Sequence, residues 1–294
     1  MTLRPTQMPK LRDQTTAFLR DPESAIRSNS GSDLQAGYDN LASCLTAADL
    51  YWATPDMTAL AMSSGAQLAA ARWATADRPS PCGLMLFDGG LGTIDGHGVS
   101  IPVEAITWGP YGGECMLWLL VSRRRMVQEV ERLKQPFTLV EEKIPPLLPV
   151  YGFTLPVTVE PVPLVEADKG VPEPILAALA ASWLLMQQPQ LIERAQHRPD
   201  NTAARSYARA GRPVPEVTSV GLRRQYVPQG QEPVDGTDVA GRRYLHRWVV
   251  SGHWRDQPYG RERALRRKTW IPSYVKGPEG APLLSTEKVN VWRR

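Results

Sequence analysis

Two of the chain's four histidines, His246 and His253, fall within eight residues of each other, and His253 is followed directly by Trp254 and Arg255. An imidazole that titrates near neutrality can take a proton from a ribose 2′-hydroxyl or give one to a leaving oxygen, while guanidinium groups hold phosphate and the charge that develops on it. His253, His246 and Arg255 are therefore the candidate catalytic residues, for a metal-independent ribonuclease. Arg247, Arg263, Arg266, Arg267 and Lys268 supply the cations a phosphate backbone needs, and Trp254 and Trp270 offer rings on which unpaired bases could stack. RNA is the partner this combination points to.

A plainer reading stands beside it. Tryptophans on a strand are most often core, a single strand histidine is commonly a hydrogen-bonded structural one, and a run of cations is commonly a solvated face. What favours chemistry is the concentration of all three types in one stretch.

The element that must position them is a β-hairpin. Residues 242–276 hold two runs rich in β-branched and aromatic residues on either side of Pro258-Tyr259-Gly260. Alternation puts Tyr244, His246, Trp248 and Val250 on one face and Leu245, Arg247, Val249, Ser251, His253 and Arg255 on the other, provided Gly252 does not bulge. His246 can reach the His253 side only if the strand twists or bulges there.

The whole chain sets the context. Its 294 residues, 42% of them hydrophobic, suffice for a proper core. No stretch approaches the roughly 20 apolar residues of a membrane span, and the N-terminus lacks an apolar signal core, so a cytoplasmic protein with no membrane partner is expected. The net charge of +4 is unevenly spread: from Arg205 onward there are 18 Lys and Arg against 8 Asp and Glu, leaving the rest of the chain acidic. That asymmetry suits an acidic or neutral body with a nucleic-acid-facing part, and also an acidic protein partner. Cys44, Cys82 and Cys115 lack disulfide or zinc spacing and read as small buried hydrophobes; a thiol nucleophile served by His97 or His253 is the lesser reading. No cofactor and no metal site is expected, and no dense carboxylate cluster suggests a two-metal nuclease.

In order along the chain, residues 1–40 read as a frayed helix and a flexible connection around Ser28-Asn29-Ser30-Gly31-Ser32. Thr54 is an N-cap before Pro55 at the first turn of a helix running to about Trp73. Cys82–Phe87, Val103–Trp108 and Glu114–Ser122 read as strands of one antiparallel sheet, with a Gly-rich hairpin loop over residues 88–98 and a short exposed helix from Arg123 to Lys134. Residues 136–174 are Pro-rich edge strand and connection. Residues 172–188 are the clearest helix, apolar nearly all round and hence buried. Residues 190–211 read as a polar helix, Pro215–Gln225 as a strand, residues 227–241 as a loop and Glu287–Trp292 as a last strand. The expected fold class is α+β: a flexible segment over 1–40, an α+β domain over 41–165, and a helix with a basic, Trp-rich hairpin over 166–294.

His246, then Gly252-His253-Trp254, then Gly260, Trp270, Pro272 and Gly277 match in order a C-terminal signature of a type V-A anti-CRISPR family, which this chain resembles. Ser182–Pro189 and Pro81–Leu84 match it more loosely. The family is spread among phages and mobile elements, and it blocks biogenesis of an RNA-guided effector nuclease by recognising the nascent polypeptide at the ribosome and triggering destruction of its messenger RNA. The resemblance implies a host-cytoplasmic protein that binds mRNA, with a nascent chain or the ribosome as further partners, and carries the motif onto His246, Gly252, His253, Trp254, Gly260 and Trp270. Where the family has His-Trp-His, this chain has His253-Trp254-Arg255, so one imidazole of an acid/base pair is missing. The alternative is a non-catalytic nucleic-acid- or protein-binding phage protein.

Overall fold

The computed structural model describes residues 3–28, 30–68, 73–96, 99–133, 143–160, 172–223 and 248–276. The chain divides into two compact units, Met1–Arg223 and Arg224–Arg294. The first begins with helices α1 (Met8–Arg20), α2 (Ala25–Ser28) and α3 (Ser32–Ala47), then strand β1 (Asp49–Ala53) and helix α4 (Pro55–Gly65). Strand β2 (Gly83–Phe87), the small hairpin β3 (Thr93–Gly96) and β4 (Val99–Pro102), and strands β5 (Ala105–Tyr111) and β6 (Glu114–Ser122) follow. Next come α5 (Arg123–Arg132), β7 (Leu147–Leu155), α6 (Glu173–Met186), β8 (Ile192–His197), α7 (Asn201–Arg209) and β9 (Val217–Leu222). The class is α+β, as expected.

Seven strands make one sheet in the order β7-β6-β5-β2-β1-β9-β8. Its β2-β5-β6-β7 side is antiparallel, the part legible from the sequence, and β7 with Pro149 lies at the edge. Strand β1, not foreseen, runs parallel to both neighbours: Leu50 is registered with Leu84 on one side and Val217 on the other. Helices cover both faces, which is why β1 and β2 read as continuous apolar runs rather than alternating ones. On one face Leu50, Trp52, Leu84, Leu86 and Val217 pack with Met8 and Leu19 of α1 and Leu41 and Leu45 of α3. On the other, Tyr51 stacks on Trp108, and Trp108 meets Trp183 of α6 edge-on at 5.1 Å.

Local sequence explains the helices. Thr54 caps α4 by accepting the Met57 backbone N–H, with Pro55 behind it, as expected, although the helix ends at Gly65 rather than Trp73. At Gly65 a Cβ would lie 2.7 Å from the Ala177 backbone, so only glycine allows the end of α4 to approach α6 this closely. Helix α6 is buried on every side from Ile175 to Met186. Ser122 caps α5 by accepting the Arg125 N–H, and its own N–H and hydroxyl donate to Glu104, whose carboxylate offsets three arginines in a first turn that disfavours cations.

Three expectations are corrected. Residues 1–40 are not a frayed segment among those described: Met8 and Leu19 are fully buried, and polar residues that hid the helical pattern face inward with partners, Arg12 on Asp13 and Arg27 on Asp39 and the Leu19 carbonyl. Residues 190–211 are not one helix, because Ile192–His197 pairs with β9 and only Asn201–Arg209 is helical. The expected division at 165/166 does not coincide with the observed one, since β8 and β9 complete the same sheet as β1.

In the second unit, β10 (Trp248–Val250) pairs with β13 (Tyr274–Lys276), and β11 (His253–Tyr259) pairs with β12 (Leu265–Ile271). The expected loop at 227–241 and strand at 287–292 lie outside the described residues, as does His97. No helix among the described residues is long and apolar enough to cross a membrane.

Candidate nucleic-acid interface

The expected hairpin is present, and its ladder is interrupted once. Val250 pairs with Tyr274 and His253 with Ile271, so the two ladders keep step across Ser251-Gly252 and Pro272-Ser273 and no residue is inserted. Gly252 does not bulge. Pro272 has no N–H to give, which accounts for the gap. Glycine is required there because Trp270 lies against it.

The turn is tight and basic. Gly260 takes φ +77°, and Glu262 and Arg263 both lie in the left-handed region at 56° and 55°. Two successive non-glycine residues in that region carry strain of order 1–3 kcal/mol each. Among the described residues Arg263 has no ion-pair partner, and its carbonyl accepts from Arg266 at 2.5 Å.

Opposed residues of an antiparallel pair share a face, so the register sorts the candidates. His253, Arg255, Gln257 and Tyr259 share one face with Ile271, Thr269, Arg267 and Leu265. Trp254, Asp256 and Pro258 share the other with Trp270, Lys268 and Arg266. The expected phosphate-holding and stacking residues are thereby split: His253, Arg255 and Arg267 come together, and Trp254, Trp270, Arg266 and Lys268 lie behind them. His246 and Arg247 lie outside the described residues.

The second face is the structural one. Trp254 and Trp270 meet edge-on with centroids 5.4 Å apart, and Trp270 is only 5% exposed. Such a pair contributes roughly 0.5–1.5 kcal/mol beyond its burial. Lys268 pairs with Asp256 at 2.9 Å, but both are substantially exposed and the pair adds at most about 1 kcal/mol. The indoles, not the ion pair, hold this face.

The first face is the open one. His253 is exposed, with Nδ1 3.1 Å from the Ser251 carbonyl; in the tautomer that donates there, Nε2 is the basic nitrogen. Arg255 and Arg267 are exposed and have no ion-pair partner among the described residues. The Arg267 guanidinium sits 5.6 Å from the centre of the Tyr259 ring, and Tyr259 remains 41% exposed. Sequence alone places Tyr259 in the turn. Its parity with His253 and Arg255 was the signal that could have found it.

Two further clusters lie in the first unit. Asp13 accepts the Tyr207 hydroxyl at 2.7 Å and a guanidinium N–H of Arg212 at 3.2 Å, beside a cavity of about 340 Å³ between α1 and α7. Burial raises the Asp13 carboxyl, but the Tyr207 bond and then Arg12 outweigh it, and the net shift is downward. The three cysteines, distant in sequence, gather around Gly109 on β5: a Cβ there would lie 2.2 Å from Cys44 Sγ and 3.5 Å from Cys82 Sγ, and its N–H reaches the Cys115 sulfur. Burial pushes the Cys44 thiol up to about 12 and that of Cys115 to about 11, the opposite of an activated nucleophile. Cys44 and Cys115 are buried as expected, while Cys82 is half-buried. Among the described residues no group of three or more His, Cys, Asp or Glu could hold a metal ion.

Fold and site together define an α+β protein with a doubly covered mixed sheet and a separate basic hairpin unit. No protein-family model matches the chain, and no curated protein matches it in sequence.

Proposed function

We propose that this chain binds RNA through its C-terminal hairpin and lowers the expression of a target message. The observation that carries the reading is the charge of that hairpin: six cations against two carboxylates lie between His253 and Ile271, of which Arg255 and Arg267 stand on the open face with an exposed imidazole and Arg261 and Arg263 at the tip. Arginines in that density suit phosphate, and an exposed imidazole suits proton transfer on RNA. The finer part of the proposal follows the anti-CRISPR resemblance: a phage or mobile-element protein that acts in the host cytoplasm, engages mRNA at translating ribosomes through a nascent peptide, and promotes destruction of that message.

One observation favours a second reading, RNA binding without cleavage by this chain. Among the described residues, the face that carries His253 holds no second imidazole and no carboxylate, so no partner acid or base is seen beside it. Arg255 occupies the place where the resembled motif has a histidine.

A translation assay in cell extract, with purified protein and a panel of messages, tests both. Transcript integrity is read by primer extension for wild type and His253→Ala. Cleavage that disappears in the variant supports a translation-linked ribonuclease. Transcripts that stay intact while RNA binding persists support the binder. If the protein neither cleaves nor binds RNA, the proposal is overturned.

A further inference from the structure

We infer that the RNA held by this hairpin is unpaired, with one base stacked on Tyr259 and the adjoining phosphates on Arg267 and Arg255; this rests on the RNA-binding reading and specifies its ligand. Three observations carry it. First, the tryptophans that would be the obvious stacking platforms are committed elsewhere, since Trp270 is buried and packs against Trp254 and the Gly252 backbone. They hold the hairpin together and leave the opposite face to the ligand.

Second, the ring on the open face is Tyr259. It is 41% exposed next to Leu265 at 54%, which makes the tip end of this face an exposed apolar step, while at the other end Thr269 is buried and Ile271 half-buried. An exposed aromatic ring beside an exposed aliphatic side chain gains from covering by a flat apolar partner, and every nucleobase has such a face. A paired base does not: its faces are already stacked within the duplex, and duplex RNA offers proteins mainly phosphates and 2′-hydroxyls.

Third, the cations are placed to follow a strand away from that step. Arg267 holds its guanidinium 5.6 Å from the centre of the Tyr259 ring, close enough for its N–H groups to take the phosphate next to a base stacked there. Arg255 lies on the same face, four residues from Tyr259 along β11, or roughly 13 Å at the usual rise of a strand. A backbone running from the tip toward His253 therefore meets the ring, then Arg267 with Gln257 opposite it offering both donor and acceptor to a base edge, then Arg255. The exposed His253 ends the track.

The test is fluorescence anisotropy with the full chain and a labelled mixed-sequence RNA oligonucleotide, alone or annealed to its complement, over a salt series. The single strand should bind at least about ten-fold more tightly than the duplex. Tyr259→Ala should lose between about five-fold and a hundred-fold in affinity for the single strand, as expected for one stacked base, and Tyr259→Phe should keep it within about two-fold. Arg267→Ala and Arg255→Ala should each flatten the salt dependence by about 0.7 in slope, the loss of one phosphate contact on a single strand. Because Tyr259 is at an exposed tip, the far-ultraviolet spectrum of Tyr259→Ala should match wild type. Equal binding of strand and duplex, or single-strand affinity indifferent to Tyr259→Ala, overturns the inference while leaving RNA binding intact. No binding of either RNA overturns both.

Discussion

The indole of Trp270 lies across Gly252, so close that a methyl group at position 252 would stand 2.6 Å from Cζ2 of the ring. Real Cβ atoms do not come that near, so in Gly252→Ala the ring or the strand must move. Overpacking of this kind costs roughly 1–3 kcal/mol. Gly252→Ala should therefore weaken the Trp254–Trp270 pair. The excitonic signal of that pair in circular dichroism should shrink while the helical signal of the first unit persists.

Tyr207 on α7 donates to Asp13 on α1, tying the end of the first unit to its beginning. Tyr207→Phe removes a hydrogen bond to a charged acceptor, worth about 1.5–3 kcal/mol. The same bond is the largest of the influences that lower the Asp13 carboxyl. A lowered carboxyl adds stability that is present above its ordinary value near 3.8 and is lost as pH falls through the lower, folded value. Denaturant midpoints should thus drop in Tyr207→Phe at neutral pH, and the gap between variant and wild type should narrow in acid.

Alkaline pH should unsettle the first unit for the opposite reason. Burial first, and then neighbouring thiols, push Cys44 from 9.0 to about 12; burial pushes Cys115 to about 11; burial and the Asp13 bond push Tyr207 from 10.0 to about 12. Each folded group holds its proton beyond the pH at which the unfolded chain releases it. Their contribution is whole below the unfolded values and is lost as pH rises through the folded ones. Urea midpoints should fall steadily between about pH 9 and about pH 12, and Cys44→Ser should leave that slope shallower.

Thr54 accepts the Met57 N–H and also lies 3.2 Å from where a Cβ on Gly221 of β9 would stand. Thr54→Ala removes a helix cap worth about 1 kcal/mol. Chemical denaturation should show that loss, and a larger one for Gly221→Val, which drives a branched side chain into the same threonine.

What could be read from the sequence was what local signals encode. The Thr54-Pro55 start of α4, the apolar α6, the antiparallel strands β5 and β6, and the C-terminal hairpin all follow from local spacing, whereas the absence of a bulge at Gly252 is settled only by the register. Strand β1 was missed because Leu50-Tyr51-Trp52-Ala53 is buried on both sides, which erases alternation, and because its partner β9 lies far along the chain. Glu193, Arg194, Ala195 and Gln196 favour a helix in isolation; pairing with β9 overrides them. In the candidate site the residue types were legible, but not which ring was free: large tryptophans drew attention, and only the register shows them packed behind while the modest Tyr259 stands in front.

The position of β1 between β2 and β9 also has a bearing on how the molecule is made. Leu84 leaves the ribosome soon after its neighbour Leu50, but the other neighbour, Val217, is synthesised much later. A sheet formed before β9 would present a bare edge at β1, its backbone groups unpaired beside Leu50, Tyr51 and Trp52, open to pairing with another chain. The hairpin at 253–271 closes on its own neighbours within microseconds once released, whereas the sheet waits for its final insertion. A chain cut short before β9 should aggregate, and one that ends just after Leu222 should stay in solution, since the last strands of the sheet act as the latch for the first.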